Sequence, residues 1–384
     1  MSYYLEIHGV TSLGTPVTTL SRLNIQRWSH RINAPGTLVF SINAFDPHAT
    51  DENLRVKRRV RLVREKRDGS GTFLKTWLGY IDDKKQVDNQ IEVVAQGLLQ
   101  ALSKRETANN ELFNGAGSTE IFDLLAAING IAPTGITAGT GGVTTVRSVQ
   151  MQGTVDVLSA IGKRAAADGA EYEVDTDARL NYVPSLGSDK SGSIHLTYYL
   201  NGQPGTNLAA VQIGESGREM ANRVYGVSSV SGGLTSMKED PASQALYGLL
   251  IERKQFNEAQ DQTTLDAMTQ AFLSQRSTPP SDFQIDPRLA SLRYNVTSGS
   301  RTISGLQYDD VSLGDLVTVT IVTQNRSETS VKRIVGIDVA VDENLNERLS
   351  LTLSKAGVFV TASYLDATQV DRLRTELKQV ELLL

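Results

Sequence analysis

Apolar and polar residues alternate with a period of two through much of the chain, and turn residues interrupt the alternation at short intervals. Residues 1–50 already show this pattern, because alternating segments are separated by a turn from Gly9 to Gly14 and by Pro35-Gly36. Such alternation, bounded by glycine, proline and asparagine, is typical of half-buried strands in antiparallel sheets. The pattern therefore predicts a mainly β protein.

One order of strands occurs twice, at 54–99 and at 311–353. Each stretch has an alternating strand, a polar turn, an apolar strand that contains one glycine, a second polar turn and another alternating strand. In each copy 19 residues separate a strand valine from that glycine, Val60 from Gly79 and Val317 from Gly336. A glycine inside a strand favours a bulge or bend, which a small barrel needs at its corners. The repeat predicts two similar β-barrel, tube-type domains; the alternative is a chance match between all-β stretches.

Helical spacing replaces this alternation between residues 112 and 186. The predicted elements are helices over 119–128 and 154–168, with Ser118 as the N-cap and Gly169 as the end, and a hairpin over 171–183. A glycine-rich stretch at 135–145 lacks the lysine of a phosphate-binding loop, so it is interpreted as a flexible connection. These elements predict a small α+β domain.

The predicted organisation thus has two β-domains, of which the second is interrupted, and a helix at the end. The domains are a first β-barrel at 1–108, an α+β domain at 109–207, a second β-barrel at 208–239 and 284–356, a helical insertion at 240–283, and a C-terminal helix at 357–384.

The predicted C-terminal helix has apolar residues at alternating spacings of three and four. They are Val370, Leu373, Leu377, Val380 and Leu384. This spacing is that of a coiled-coil seam over two heptads, and we take these residues as a candidate interface between three copies of the chain. Two heptads do not hold a coiled coil unaided, so a helix packed on its own domain is the alternative.

The most basic run of the chain extends from Arg55 to Arg67. Alternation along a strand places Arg55, Arg59 and Arg61 together on the face opposite Val60. This face is interpreted either as a solvated, charge-protected edge or as an interface with an acidic partner. No aromatic residues alternate with the basic ones, so the run gives little support for binding of single-stranded nucleic acid.

Composition narrows the functional classes. The chain has no cysteine and a formal net charge of −5, so thiolate metal sites, cysteine nucleophiles and wholesale nucleic-acid binding are not expected. No basic segment followed by an apolar run opens the sequence, so no signal peptide is expected. The four histidines show no metal-binding spacing, and no nucleophile elbow is present. We therefore expect no enzyme activity, cofactor or metal.

The order of the segments resembles the hub proteins of phage tails: the baseplate hub of contractile tails, the related tail-tip proteins, and the N-terminal part of type VI secretion spikes. Several segments carry the resemblance, which covers about residues 1–356. They are INAPGTLVFSINAFDP, WLGYIDDKKQ, AQGLL, DVLSAIGKRAAADGAEYEVDTDARLNYVP, NRVYGVSSV, ALYGLLIER, VSLGDLVTVTI and RIVGIDVAVDE. Each segment is degenerate alone, and their order is the specific feature.

The resemblance implies a structural virion protein at the tail tip or baseplate, assembled in the cytoplasm of the host bacterium. Two barrels in each of three chains would form a ring of six similar barrels. Such a homotrimer would join a six-fold tail tube or distal tail ring to a three-fold spike, fibre or tape-measure protein. Its bore would pass DNA without stable binding. The alternatives are a protein that binds the host surface through its α+β segments and a tail enzyme that degrades the cell wall.

Overall fold

The computed structural model describes residues 2–66, 70–200, 206–215, 217–229, 233–278, 281–287, 296–298, 301–303, 306, 308–324, 327–342 and 345–355. The predicted C-terminal helix at 357–384 lies outside the described residues. So do the five apolar residues of its predicted seam, Val370, Leu373, Leu377, Val380 and Leu384.

The described residues form 23 strands and four α-helices, which confirms the prediction of a mainly β protein. The N-terminal half contains β1 (Tyr3–His8), β2 (Thr18–Leu20), β3 (Leu23–Arg31), β4 (Thr37–Asn43), β5 (Arg59–Glu65), β6 (Phe73–Val87), β7 (Gln90–Gly97), β8 (Leu112–Phe113), α1 (Gly117–Ile131), β9 (Thr137–Gly141), β10 (Val149–Gln150), α2 (Val157–Asp168), β11 (Glu171–Val174) and β12 (Arg179–Val183). A 3-10 helix spans Leu98–Lys104.

The C-terminal half continues with strands and two further helices. They are β13 (His195–Tyr199), β14 (Leu208–Glu215), β15 (Arg223–Ser228), β16 (Leu234–Glu239), α3 (Pro241–Tyr247), β17 (Ile251–Gln255), α4 (Gln262–Arg276), β18 (Ser281–Pro287), β19 (Val296–Ser298), β20 (Arg301–Ile303), β21 (Leu316–Val322), β22 (Ser327–Val341) and β23 (Glu347–Lys355). A short 3-10 turn covers Tyr308–Asp310.

Two groups of strands with the same order form most of the main sheet. The first strand unit has the order β2-β1-β5-β6-β7-β4-β3, and the second has the order β13-β21-β22-β23-β18-β14. In both, a strand pairs antiparallel with a 15-residue strand, which pairs antiparallel with the next strand along the chain. The repeated order read from 54–99 and 311–353 is therefore present in the structure. The sheet is an open path through the described strands, and closure of each unit into a barrel stays a prediction.

Both long strands carry a bulge against the strand that follows them. The unpaired residue is Asp82 in β6 and Val335 in β22. When the bulges are superposed, Val60 corresponds to Val317 and Ile91 corresponds to Leu349, as the repeat predicted. A bulge of this kind bends its strand and increases the local twist. The two units therefore share a bend at the same place as well as an order of strands.

The correspondence between Gly79 and Gly336 that the spacing suggested is wrong. With the bulges superposed, Lys332 takes the position of Gly79, and Asp83 takes the position of Gly336. The equal spacing arises because β6 has a second bulge near Trp77 and a longer turn before it than β22 has.

Two predicted domain boundaries are misplaced. β13, which falls in the predicted α+β domain, pairs in parallel with β21 of the second strand unit. β15 and β16, which fall in the predicted second barrel, instead form a separate three-stranded sheet with β17. α4 packs on this sheet, and Gly226 of β15 lies directly against Thr269 of α4. A helix that covers one face gives these strands a core away from the main sheet, so the inserted unit begins near residue 217.

The small α+β unit contains the predicted helices and hairpin. α2 begins after Asp156, whose carboxylate accepts a hydrogen bond from the Ser159 amide, and ends at Gly169 in the left-handed region. Ser118 is not the N-cap of α1, because that helix begins at Gly117. The glycine-rich stretch is not a flexible connection, because β9 pairs in parallel with β12 of the hairpin.

Candidate functional site

The two strand units meet along one pair of strands, which we call the seam. Residues Arg27 to Arg31 of β3 pair antiparallel with Gly336 to Ala340 of β22. This pairing makes one continuous sheet from both units, and one apolar core runs beneath them. The seam is therefore where the duplicated units are fixed relative to each other.

Side chains strengthen the seam. Arg31 donates two hydrogen bonds to the carboxylate of Asp338, at 2.6 and 2.8 Å, and a third to the Ile337 carbonyl. Both bonds to the carboxylate come from one nitrogen, Nη2, and such hydrogen bonds between charged groups are stronger than neutral ones. The ends of β3 and β22 are thus held in one register.

An aromatic cluster lies beside this ion pair. Trp28 contacts Tyr3 and Tyr308 in edge-to-face geometry, with ring centroids 6.1 and 5.8 Å apart. The hydroxyl of Tyr308 is hydrogen-bonded to Nε2 of His30 at 2.8 Å. Burial, together with the smaller effect of the positive charge of Arg31, lowers the pKa of His30 to about 4. His30 is therefore neutral at physiological pH, and the cluster has a structural role.

The basic run lies largely inside the molecule. Arg59 is 1% exposed and Arg61 is 7% exposed, so the prediction that they share an outward face with Arg55 is wrong. Arg59 donates to the carbonyls of Val10, Thr134 and Gly135, and Arg61 pairs with Glu6. Both faces of β5 are covered, because Val60 and Leu62 lie in the main core while Arg59, on the other face, lies against the α+β unit. Of the three predicted interface arginines, Arg55 is the exposed one, and it lies beside Glu52.

A further arginine of this run, Arg64, reaches the second strand unit. It forms an ion pair with Asp309 and lies near Glu347 and over the ring of Tyr308. The sequence did not single out this residue. Alternation along a strand shows only which side chains share a face of the sheet. It does not show whether segments distant in sequence cover both faces.

Several strand edges of the main sheet, including the outer edges of β2 and β13, have no partner strand among the described residues, and two others correspond to the two sides of the seam. One is the edge of β6 from Asp83 to Val87 on the side of β5, since β5 pairs only as far as Tyr80. Residues in this segment are exposed, except for Lys84, which is half-buried. The other is the outer edge of β14, which pairs with β18 alone. An unpaired edge offers amide and carbonyl groups to another chain.

A cavity of about 420 Å³ lies between the seam and the α+β unit, and its lining includes His30, Lys75, Glu173 and Tyr308. Among the described residues, no three histidine, aspartate or glutamate side chains are grouped to hold a metal ion. No helix in the described part of the chain is long and apolar enough to cross a membrane.

Comparison with solved structures identifies the fold. A tail protein from Neisseria meningitidis aligns with a TM-score of 0.63 at 11% identity, over 94% of this chain and 98% of that one. The chain has the fold of a phage tail protein. The 43 kDa tail protein of a Shewanella oneidensis prophage aligns with a TM-score of 0.61 at 11% identity, over 94% of this chain and 100% of that protein.

A third tail protein, from a Listeria monocytogenes prophage, gives a TM-score of 0.58 at 8% identity, over 93% of this chain and 96% of that one. No protein-family model matches the sequence. No curated protein matches it either. The resemblance to tail proteins read from the order of segments is thus confirmed by fold, at identities too low for a sequence search.

Proposed function

We propose that this protein is a structural component of a phage tail, a trimeric hub at the tail tip or baseplate. Three copies place six strand units in a ring, which stacks on a six-fold tail tube and presents a three-fold face to a spike or fibre. The bore of the ring passes DNA during ejection. The hub acts by shape and symmetry, without catalysis.

The observation that carries this proposal is the duplicated strand unit. The two units have the same order of central strands and the same bulge, and the seam joins them edge to edge in one sheet. A homotrimer supplies only three equivalent positions, and duplication within the chain doubles them. Like contacts can then repeat around a six-fold ring.

The experiment is a measurement of mass and rotational symmetry. We expect native mass spectrometry of the purified chain, alone or with the tail-tube protein, to give three copies of the 41.7 kDa chain. End-on electron-microscopy averages should show three-fold symmetry with six similar densities around the bore. A particle that stays monomeric under both conditions, or six densities at unequal radii, would refute the hub.

A second candidate function, recognition of the host surface, has support from one feature of the inserted unit. Leu246, Leu249 and Ile251 are 76%, 52% and 57% exposed, and Tyr247 lies beside them. Exposed apolar groups in one segment mark an interaction site in a protein of ordinary composition. Binding to host envelope glycans that is lost in Leu246→Ser and Leu249→Ser variants would favour this function. An adaptor alone shows no such binding.

A further inference from the structure

The seam defines what a contact between neighbouring strand units looks like in this chain. Its first side is the outer edge of β3. β3 pairs with β4, and β4 pairs with β7, the last of the repeated strands β5, β6 and β7. Its second side is the end of β22, beyond the bulge at Val335. Each strand unit should have its own version of both sides if the duplication is complete.

The counterparts of the two sides of the seam are the outer edge of β14 and the unpaired Asp83–Val87 edge of β6. β14 corresponds to β3. β14 pairs with β18, and β18 pairs with β23, the last strand of the second copy of the repeat, just as β3 pairs with β4 and β4 pairs with β7. Superposition of the bulges at Asp82 and Val335 makes Asp83–Val87 the counterpart of Gly336–Ala340. In β22 this segment pairs with β3 in the seam. Its counterpart in β6 has no partner on the same side among the described strands.

We propose that β14 of one copy of the chain pairs with the Asp83–Val87 edge of β6 in a second copy. The contact repeats the seam between chains, and it rests on the proposed ring, whose subunit interface it specifies. Arg27 and Ala340 are opposite each other in the seam. Transfer of this register places Gln212 opposite Val87 and Glu215 opposite Lys84.

Charge and geometry favour a second copy as the occupant of these edges. The β6 edge carries Lys84 and Lys85, and the transferred register places Glu215 of a second copy opposite Lys84, where it would join the ion pair that Lys84 forms with Asp51 of its own chain. In the seam, an arginine of β3 likewise pairs with an acidic residue of β22. Opposite charges across paired strands stabilise a sheet and fix its register.

The two edges lie on different parts of the chain, so the contact is heterologous. A heterologous contact gives a closed ring or an open filament, depending on its rotation. Because the internal seam and the contact between chains are equivalent, each rotates one strand unit onto the next by the same angle. In the proposed trimer this angle is one sixth of a turn, so three chains close a ring of six units and leave neither edge exposed.

Cysteine crosslinking tests this register, because the natural chain has no cysteine. The test variant combines Val87→Cys with Gln212→Cys, which the register places opposite each other on different copies. Its matched control combines Arg27→Cys with Ala340→Cys, the corresponding pair within one chain. A second control, Val87→Cys with Ile213→Cys, moves one cysteine by one residue along β14. Its thiol should then lie on the other face of the sheet.

After mild oxidation we expect covalent dimers and trimers of the test variant on non-reducing gels, lost on reduction. The Arg27/Ala340 control should stay monomeric with altered mobility, and the shifted pair should crosslink at least tenfold less. A ladder that extends past the trimer also supports strand pairing but refutes closure after three chains.

The mass of the uncrosslinked protein separates failure of this pairing from failure of the hub. A protein with the mass of three chains, whose test pair stays unlinked while the Arg27/Ala340 control oxidises, overturns the pairing of β14 with β6 and leaves the trimer standing. A protein that is monomeric and unlinked overturns both.

Discussion

At the scale of single residues, the buried ion pair between Arg333 and Glu171 joins β22 to the hairpin of the α+β unit. The two side chains are 8% and 2% exposed, and Arg333 also donates to the carbonyls of Leu186 and Gly314. Removal of one member of such a pair leaves a buried charge without its partner, which costs about 3–5 kcal/mol. We expect Glu171→Gln to lower the free energy of unfolding by an amount near this range, as measured by urea denaturation.

An exposed ion pair gives the matched control. Arg223 and Glu239 are joined at 2.6 Å on β15 and β16 but are 28% and 34% exposed. Because water screens such a pair, Glu239→Gln should lower the free energy of unfolding much less than Glu171→Gln does. Equal losses in the two variants would show that burial of the Arg333–Glu171 pair has no energetic role.

His30 should make the fold sensitive to mild acid. Its pKa is about 4 in the folded chain, below the ordinary value of 6.5, so the unfolded chain takes up the proton first. Stability is therefore full above pH 6.5 and falls as the pH is lowered toward 4, by about 2 kcal/mol at pH 5. Burial also lowers the pKa of His8, which adds to the trend.

We expect His30→Gln to have a shallower loss of stability between pH 7 and pH 5 than the natural chain, as measured by denaturation at each pH. The control is Ile337→Val, a change at the buried residue opposite His30 in the seam. This variant should lose about 1 kcal/mol at every pH and keep the natural slope. An unchanged slope in His30→Gln would contradict the role given to the buried imidazole.

At this scale, the sequence predicted which face of a strand some residues lie on, but not which groups their side chains contact. The alternation that placed Val60 and Leu62 in the core is correct, because both are fully buried. The same alternation failed for Arg59 and Arg61, whose acceptors come from a loop near residue 134 and from β1. Charged residues in a strand covered on both sides look like a solvated face until those distant acceptors are known.

At the scale of elements, two glycines let the connection after β12 cross the start of β21. Gly187 and Gly314 both have positive φ, and a Cβ on Gly314 would overlap the carbonyl oxygen of Leu186. We expect Gly314→Ala to lower the melting temperature strongly, because it adds backbone overlap to the cost of about 1–2 kcal/mol for a left-handed residue. Thermal denaturation measures the loss.

Gly233 provides the comparison for this prediction. It also has positive φ, but no atom lies within contact distance of its Cβ position. Gly233→Ala should therefore lower the melting temperature only by the cost of a positive φ at alanine, without backbone overlap. If the two alanine variants melt at the same temperature, the close approach of the two loops does not contribute to stability.

Elements were predicted better than their grouping. Both helices of the α+β unit, its hairpin and the repeated strands were found, because each has a clear local period. The assignment of β13 and β15 to their sheets was wrong, because strand pairing depends on which distant edge is free, and local alternation does not encode that. The stretch at 135–145 was misread because its glycines conceal a strand that pairs through its backbone.

At the scale of the whole molecule, the seam and the duplicated units explain how one chain can supply two positions of a ring. The unit boundaries do not coincide with simple cuts in the sequence, since the α+β unit and the inserted unit lie between strands of the main sheet. What repeats within the chain is the strand unit with its bulge, and the rest of the chain is attached to that frame. In the proposed ring, this separation would let the inserted units vary without a change in ring geometry.

The proposed passage of DNA makes a prediction about adhesion. The chain has a formal net charge of −5, and three arginines of its most basic strand, Arg59, Arg61 and Arg64, are occupied by internal acceptors. These three arginines are therefore not available to replace the counterions of a duplex, and the negative net charge disfavours such replacement, which is the main source of non-specific affinity. We expect no binding of a labelled duplex in fluorescence anisotropy at about 150 mM salt, with the protein at about 10 µM. A basic DNA-binding protein should shift the same probe, and salt-dependent binding by this chain would contradict a conduit that releases DNA freely.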